Sequence, residues 1–366
     1  MIAFLLVAFS ILFGAHALVY VSLVHFFSLT QASSKYTIAS ILALLSVSFV
    51  FASIAAHYYE NVVTRTAYFL SGFWLGLLVN LLVAFVILWL VTLIGGQFGY
   101  SFGNAFFGAA FIGMAFLFSL SGAWIALHPT VKQVSVHIPG LPEAWKGQTI
   151  VQLSDVHLGH VYQARFLEDV VARVNELHPK AVVITGDLFD GMDGRLDSLV
   201  APLNKLDAPR GVFFVTGNHE TYLGVEKVFA ALAGTRVNIM NDEVLDVDGL
   251  RLVGINYPAR GESKDILKTL EALGDLFLGQ PNVLLYHAPV RIEEIAKSGI
   301  QLMLSGHTHR GQQFPFQFIT YLVHKGYDYG LATIGNFTLY TTSGVGTWGP
   351  AMRIGTRGEI VAITLE

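Results

Sequence analysis

Four long apolar stretches fill the first third of the chain, and they restrict its architecture more than any other feature. They cover residues 2–27, 37–57, 66–93 and 105–127. Each meets or exceeds the roughly 20 residues that an α-helix needs to cross a hydrocarbon core of about 30 Å. The breaks between them are short and polar or glycine-rich, running from Gln31 to Lys35, from Glu60 to Arg65 and from Gly95 to Asn104. Charge is nearly excluded: Lys35, Arg65 and Glu60 are the only charged side chains in the first 128 residues, against 22 Lys and Arg and 26 Asp and Glu in the whole chain. Core helices of a soluble protein do not repeat four times with so little charge. A cleaved signal peptide is a poor fit, because no basic segment precedes the first run and that run is too long. Residues 1–128 are therefore expected to form a bundle of four transmembrane helices in contact with the lipid bilayer.

Gly14, Gly72, Gly76, Gly108 and Gly113 fall inside the spans, where small residues allow close helix packing. His16, His25 and Asn80 are intramembrane polar groups, which can mark a transport path. They have no acidic or basic partner in the spans, so hydrogen bonding within the bundle is the expected role. Four crossings put both chain ends on one side. That side carries Arg65, Lys132 and Lys146 against Lys35 on the other, so the positive-inside rule places the region after the fourth span in the cytoplasm.

The formal net charge of −4 averages two dissimilar segments, and no basic block suggests a nucleic-acid surface. The absence of cysteine excludes disulfides, thiolate zinc sites and a cysteine nucleophile. Any metal must be held by His, Asp, Glu or Asn. After His128-Pro129 the texture changes. Residues 129–146 read as a linker and first strand, with Val134, Val136 and Ile138 alternating with polar residues before the turn Pro139-Gly140-Leu141-Pro142. Residues 147–366 then repeat a pattern of apolar strand, polar loop and amphipathic helix. Strands at 149–153, 181–185 and 211–216 precede helices near 165–177, 196–206 and 224–233. Past Arg236 the expected strands crowd together, at 244–247, 250–255, 283–286, 301–304, 337–342 and 360–365, as in a second, mixed or antiparallel sheet. The expected fold is an α/β domain built as a two-sheet β-sandwich flanked by helices.

Polar residues collect just after these strands, at the open edge where α/β proteins place their sites. In chain order they are Ser154-Asp155-Val156-His157, Gly186-Asp187, Gly217-Asn218-His219-Glu220, Tyr286-His287-Ala288-Pro289 and Ser305-Gly306-His307-Thr308-His309. Glycines 186, 217 and 306 are expected to let the chain turn sharply there. Carboxylates, imidazoles and the Asn218 amide are oxygen and nitrogen donors suited to Mn, Fe, Zn or similar divalent ions rather than calcium. The set is too large for one tetrahedral ion and natural for two sharing a carboxylate. Paired ions stabilise the attacking and leaving oxygens of displacement at phosphorus. Singly, each motif is as easily a turn or a core histidine. Five in order, each after a strand, form a joint signal.

The series Asp155-Val156-His157, Gly186-Asp187, Gly217-Asn218-His219-Glu220, His287 and Gly306-His307-Thr308-His309 resembles the signature of the calcineurin-like metallophosphoesterase superfamily. The longer strings from Gln152 to Gly159 and from Leu304 to His309 are similar to its membrane-associated bacterial branch, that of YkuE- and YaeI-like proteins and of UDP-2,3-diacylglucosamine pyrophosphatase. The tail, with Gly335-Asn336, Leu339-Tyr340, Ser343-Gly344-Val345-Gly346 and Arg353, is similar too. The resemblance implies one divalent ion on Asp155, His157, Asp187 and His309, and a second on Asp187, Asn218, His287 and His307. It implies His219 as a catalytic non-ligand that protonates the leaving oxygen or stabilises the phosphoryl charge. Arg310 departs from the glycine usual after His309; it is either a phosphate clamp or a solvated loop charge.

Phe314, Phe316, Phe318, Ile319, Tyr321, Leu322 and Val323 follow the histidines directly. The alternating Phe residues suggest a strand, packed under the second sheet or else touching the bilayer or an acyl chain. The expected function is a phosphoesterase of a bacterial inner membrane, cleaving a phosphodiester or pyrophosphate in a lipid-linked or envelope substrate by attack of a metal-bridging hydroxide. Two alternatives stand beside it: a tethered hydrolase of soluble phosphoesters or nucleotides, and a non-enzymatic sensor or transporter, for which broken ligand sets would be expected.

Overall fold

In the computed structural model, residues 2–191, 196–274 and 280–366 are described. The chain divides into two compact units, one running to Trp124 together with Gly349–Met352, the other comprising Ile125–Trp348 and Arg353–Glu366.

The first unit holds α1 (Ile2–Phe26), α2 (Ala32–Tyr58), α3 (Val62–Gln97) and α4 (Ala105–Ala126), all long and apolar enough to cross a membrane. The polar breaks end the helices through specific caps. The Asn61 side chain accepts from the N–H groups of Val63 and Thr64 while the Thr64 hydroxyl accepts from Asn61 N–H, which satisfies donors that α3 leaves orphaned. Large side chains point outward along these helices: Leu44 is 71%, Phe51 66% and Leu93 65% exposed, as lipid-facing positions require. His16 and Asn80 are hydrogen-bonded within the bundle, while His25 makes ring contacts. Trp74 Nε1 donates to His16, Asn80 donates to Ser119 Oγ at 2.8 Å, and His25 stacks on Trp89. Gly108 lets Phe26 and Phe27 approach closely, whereas Gly14 and Gly113 border open space, so close packing does not explain those two.

The second unit is built on two six-stranded sheets. The strands are β1 (Thr130–Val136), β2 (Thr149–Leu153), β3 (Ala181–Thr185), β4 (Val212–Val215), β5 (Val237–Ile239), β6 (Glu243–Val247), β7 (Leu250–Gly254), β8 (Asn282–Leu285), β9 (Leu302–Ser305), β10 (Gly330–Ile334), β11 (Phe337–Thr341) and β12 (Glu359–Leu365). The first sheet has the order β1-β12-β2-β3-β4-β5 and the second β10-β11-β9-β8-β7-β6. β2 to β5 are parallel, joined by α5 (Ala164–Glu176), α6 (Leu196–Val200), α7 (Asn218–Leu223) and α8 (Val225–Leu232). The second sheet is parallel from β7 through β9 to β11, with antiparallel edges β6 and β10; α9 (Ile266–Ala272) and α10 (Ile292–Ile295) belong to its connections. Ile150, Val183, Phe213 and Val361 from one sheet bury against Leu252, Val283, Leu302 and Leu304 from the other. Strands covered on both faces explain the unbroken Val, Ile and Leu runs.

Two expectations change. The strand expected at 360–365 as part of the second sheet lies in the first, as β12. It pairs parallel with β1 from Thr130↔Glu359 to Val136↔Leu365 and antiparallel with β2. The Phe-rich stretch forms a helix, α11 (Phe316–Val323), and is not packed beneath a sheet, since none of its residues is buried. Polar Gln317, Thr320 and His324 recur at the helical spacing, which outweighs the alternation of three Phe residues.

Candidate metal centre

Each expected donor lies just past the carboxyl end of a strand, with Asn218 opening α7. Asp155 and His157 follow β2, Asp187 follows β3 and Asn218 follows β4; His287 follows β8, and His307 and His309 follow β9. Donors from both sheets thus converge at one edge of the sandwich. The turns that deliver them are unusual, because Asp155, His157, Asp187, His307 and His309 all have φ between 48° and 71°. Such left-handed conformations are disfavoured for residues with a Cβ and persist where the surrounding structure imposes them, most often at functional sites. Of the three glycines expected to turn the chain, only Gly186 has positive φ, at +86°. Gly217 and Gly306 serve close approach instead. A Cβ on Gly306 would strike the Ser154 hydroxyl and the Asp155 carboxylate, and one on Gly217 would strike the Asp187 carboxylate.

The donors form groups linked by Asp187. Asp155, His157 and His309 make one; Asp187, His287 and His307 make another; and Asp187 also groups with His157 and His219. His157 Nε2 lies 3.0 Å from His309 Nε2, which is 3.3 Å from Asp155 Oδ1. His287 Nε2 is 3.1 Å from both Asp187 Oδ2 and Asn218 Oδ1, and His307 Nδ1 is 2.9 Å from Asn218 Oδ1. Asp187 Oδ2 also stands 4.0 Å from His157 Nε2 and 4.0 Å from His219 Nε2.

This donor set fits divalent cations. His287 Nδ1 donates to Thr185 O at 2.8 Å, which leaves Nε2 a lone pair in the neutral ring, facing the oxygens of Asp187 and Asn218. Buried acceptors opposed to acceptors at about 3 Å need positive charge between them. Burial opposes charge on both partners, yet the Asp187 carboxylate raises His287 to about 10, and the His287 charge holds Asp187 well below the usual carboxylate range. Burial and the His287 charge press His307 down to about 3. Burial, then the charge of His157, keeps His309 well below its ordinary value.

His219 stands beside the donors. Its Nδ1 donates to Asp190 O at 2.9 Å, which turns Nε2 toward Asp187. Burial, then the neighbouring His157, lowers its pKa. Arg310 lies on the turn after His309 with its guanidinium 4.2 Å from the centroid of the Tyr329 ring, a cation–π placement.

Three supporting residues had no assigned role from sequence. Asp190 Oδ1 is 3.4 Å from His157 Nδ1, and its carbonyl holds His219, so one residue orients both rings. Arg353 is fully buried, and its Nη2 donates at 2.6 Å to both Ser343 O and Gly346 O, fixing the loop whose Gly346 N–H donates to Asp155 O. Glu220 is fully buried and accepts from the N–H groups of Asp187, Phe189 and Gly217 at 2.9, 3.0 and 2.7 Å. Burial, then the Asp187 charge, raises its pKa to about 7. A Glu three residues after Gly217, at capping-box spacing, was the available signal. Glu220→Ala strips three buried N–H groups of their acceptor. At about 1–3 kcal/mol for each unsatisfied group, the second unit is expected to lose about 3 kcal/mol or more. Denaturant unfolding of the detergent-solubilised chain checks this, with Glu220→Gln, which keeps an acceptor oxygen, expected to lose less. Equal stability of Glu220→Ala and the parent would remove this role.

Residues 148–311, which include every donor named above, match the family described as calcineurin-like phosphoesterase. The chain is similar to a metallophosphoesterase of Campylobacter jejuni, 37% identical over 243 residues that cover 65% of this chain and 63% of that protein. It is similar to a metallophosphoesterase of Aquifex aeolicus, 33% identical over 254 residues covering 64% of this chain and 91% of that one. A Danio rerio protein described as a transmembrane protein with metallophosphoesterase domain is 35% identical over 257 residues, covering 65% and 57% of the two chains. The chain thus spans less than two thirds of the Campylobacter and Danio relatives and nearly all of the Aquifex one.

Proposed function

Because the chain belongs to the calcineurin-like metallophosphoesterase family, we propose that it is a membrane-anchored two-metal phosphoesterase acting on a phosphodiester or pyrophosphate bond. One ion would be held by Asp155, His157, Asp187 and His309, the other by Asp187, Asn218, His287 and His307. Bound there, the pair supplies Lewis-acid activation of water and neutralises charge at phosphorus. The observation that carries the reading is Asp187 Oδ2, which faces His287 at 3.1 Å and His157 at 4.0 Å and so stands between one donor proposed for each ion.

The remaining work falls to side chains of this protein. Asp190 O accepts the hydrogen bond of His219 Nδ1–H, so once the ring carries a second proton, on Nε2, that proton is the one given to the leaving oxygen or hydrogen-bonded to the phosphoryl group. Thr185 O fixes the tautomer of His287 from behind, and the Asp190 carboxylate lies 3.4 Å behind His157 Nδ1. Glu220 holds the backbone around Asp187. Arg310 is a further phosphate contact if its guanidinium leaves the face of Tyr329.

A lipid-linked substrate is favoured by the four apolar helices in the same chain, since a tether raises the concentration of the catalytic unit near membrane-borne phosphoesters. Arg65, Lys132 and Lys146 favour a cytoplasmic catalytic unit at the inner membrane. The runner-up is a hydrolase of soluble phosphoesters that is only tethered. A sensor or transporter is disfavoured, because the donor set is complete and gathered.

The test is metal removal. The full chain in nanodiscs, stripped with EDTA, is expected to lose hydrolysis of bis(4-nitrophenyl) phosphate and to regain it with Mn, Fe or Zn at about two ions per chain. Turnover of phospholipid pyrophosphates well above that of nucleotides supports the lipid substrate, and the reverse order selects the runner-up. Activity that survives complete metal removal refutes the two-metal reading.

A further inference from the structure

We propose that α11 is an interfacial helix that inserts its outer face into the bilayer to which the chain is anchored. A helix on the surface of a globular domain turns its apolar stripe inward and its polar side to water. In α11 the two sides are exchanged. At 100° per residue, Gln317, Thr320 and His324 share one side, and Phe318, Ile319, Leu322 and Val323 share the other. The polar side is turned to the protein. Gln317 Nε2 donates to Ile354 O at 2.7 Å, and Thr320 Oγ1 lies 3.3 Å from Asp328 Oδ2. The apolar side is turned out: Phe318 is 64%, Ile319 55%, Leu322 74% and Val323 67% exposed. The hydrogen bonds of Gln317 and Thr320 hold the helix in this sense, so the exposure follows from how the helix is fixed.

A contiguous apolar patch of this kind marks an interaction surface. The bilayer is the occupant that the chain itself brings within reach. α4 ends at Ala126 and β1 begins at Thr130. The leash between the last apolar span and the domain carrying α11 is therefore about 14 Å at full extension. Phe and Leu on the outer face suit the boundary between headgroups and acyl chains, and Lys325, exposed just past the helix end, suits anionic headgroups. α11 starts seven residues after His309, so its insertion would hold that histidine's loop close to the plane where lipid phosphates lie. The inference does not depend on which phosphoester is cleaved.

Because the chain has no cysteine, one introduced thiol reports one position. Phe318→Cys and Leu322→Cys, each labelled with the polarity-sensitive dye NBD, are compared with Lys205→Cys as a water-exposed reference. The full-length protein is reconstituted in phosphatidylcholine–phosphatidylglycerol vesicles with or without lipids spin-labelled near the headgroup. Both positions lie on the outer face and touch no donor, and metal content of each variant verifies its fold. Insertion predicts a blue-shifted emission, at least about twofold quenching by the spin-labelled lipid and severalfold weaker quenching by aqueous iodide than at Lys205→Cys. Iodide quenching equal to the reference with no lipid quenching overturns the proposal. So does protection from both quenchers, which would mean that protein, such as a second copy of the chain, covers the face.

Discussion

Asp187→Asn is expected to reduce phosphoester hydrolysis by roughly a thousandfold or more, on the scale of removing a preorganised charge from an active site. The substitution changes no heavy-atom count, so the cost is electrostatic. Asp187 is the carboxylate proposed to be shared by both ions: it faces His287 at 3.1 Å and stands 4.0 Å from His157. Its backbone is fixed independently of its charge, through the bond from its N–H to Glu220. The amide can still accept the His219 N–H through its oxygen, as Asp187 Oδ1 does at 2.9 Å, so the loop is expected to keep its course. What disappears is the negative charge that pulls cations to the centre. Metal analysis of the purified variant should give one ion per chain or fewer. A variant retaining both ions and full turnover would refute the shared-carboxylate arrangement.

His219→Gln is expected to behave differently. Turnover should fall by about a hundredfold to ten-thousandfold, the usual contribution of a positioned acid or base, with metal content unchanged. His219 is not in the proposed ligand set, and its main-chain bond to Asp187 does not involve the ring. The loss should appear in kcat more than in KM. Leaving-group chemistry separates the two roles open to the ring. If Nε2 protonates the leaving oxygen, the defect should be large for alkyl esters and nearly absent for 4-nitrophenyl esters, whose leaving group departs without a proton. An equal defect for both assigns the ring to stabilising phosphoryl charge. Unchanged turnover on every substrate would remove His219 from the reaction.

The parts of this structure legible in the sequence are those written in local periodicity. Four apolar runs gave four helices with ends within a few residues of those observed, apart from α2, which starts at Ala32, and α3, which runs from Val62 to Gln97. Strand followed by polar loop located the edge where Asp155, Asp187, Asn218, His287, His307 and His309 meet, since a loop after a buried strand has one direction to go. Features that depend on long-range pairing were not legible. Nothing local in residues 360–365 distinguishes a strand of one sheet from a strand of the other. Residues 314–318 alternate as a strand would, and only the polar register of Gln317, Thr320 and His324 marks a helix. The supporting residues were hidden for a related reason. Arg353 acts on the main chain of a neighbouring loop and leaves no signature in its own segment, while Glu220 shows locally only its capping-box spacing from Gly217 and not its bonds to Asp187 and Phe189. Gly217 and Gly306 could be flagged as necessary, but a tight turn and a crowded neighbour look alike in one dimension.

The pairing of β1 with β12 also imposes an order of events on synthesis. β1 leaves the ribosome directly behind α4, yet its strand partner, β12, is made only after every other strand of both sheets. Throughout that interval β1, in which Val131, Val134 and Val136 alternate with polar residues, has unmet backbone hydrogen bonds. Loop-closure entropy makes such a distant pairing slow to form. The first sheet therefore closes only once β12 has been made, with the preceding helices already available for insertion. A nascent chain stalled before Glu359 should be protease-sensitive across Thr130–Val136, a window in which quality-control factors can distinguish finished from unfinished copies.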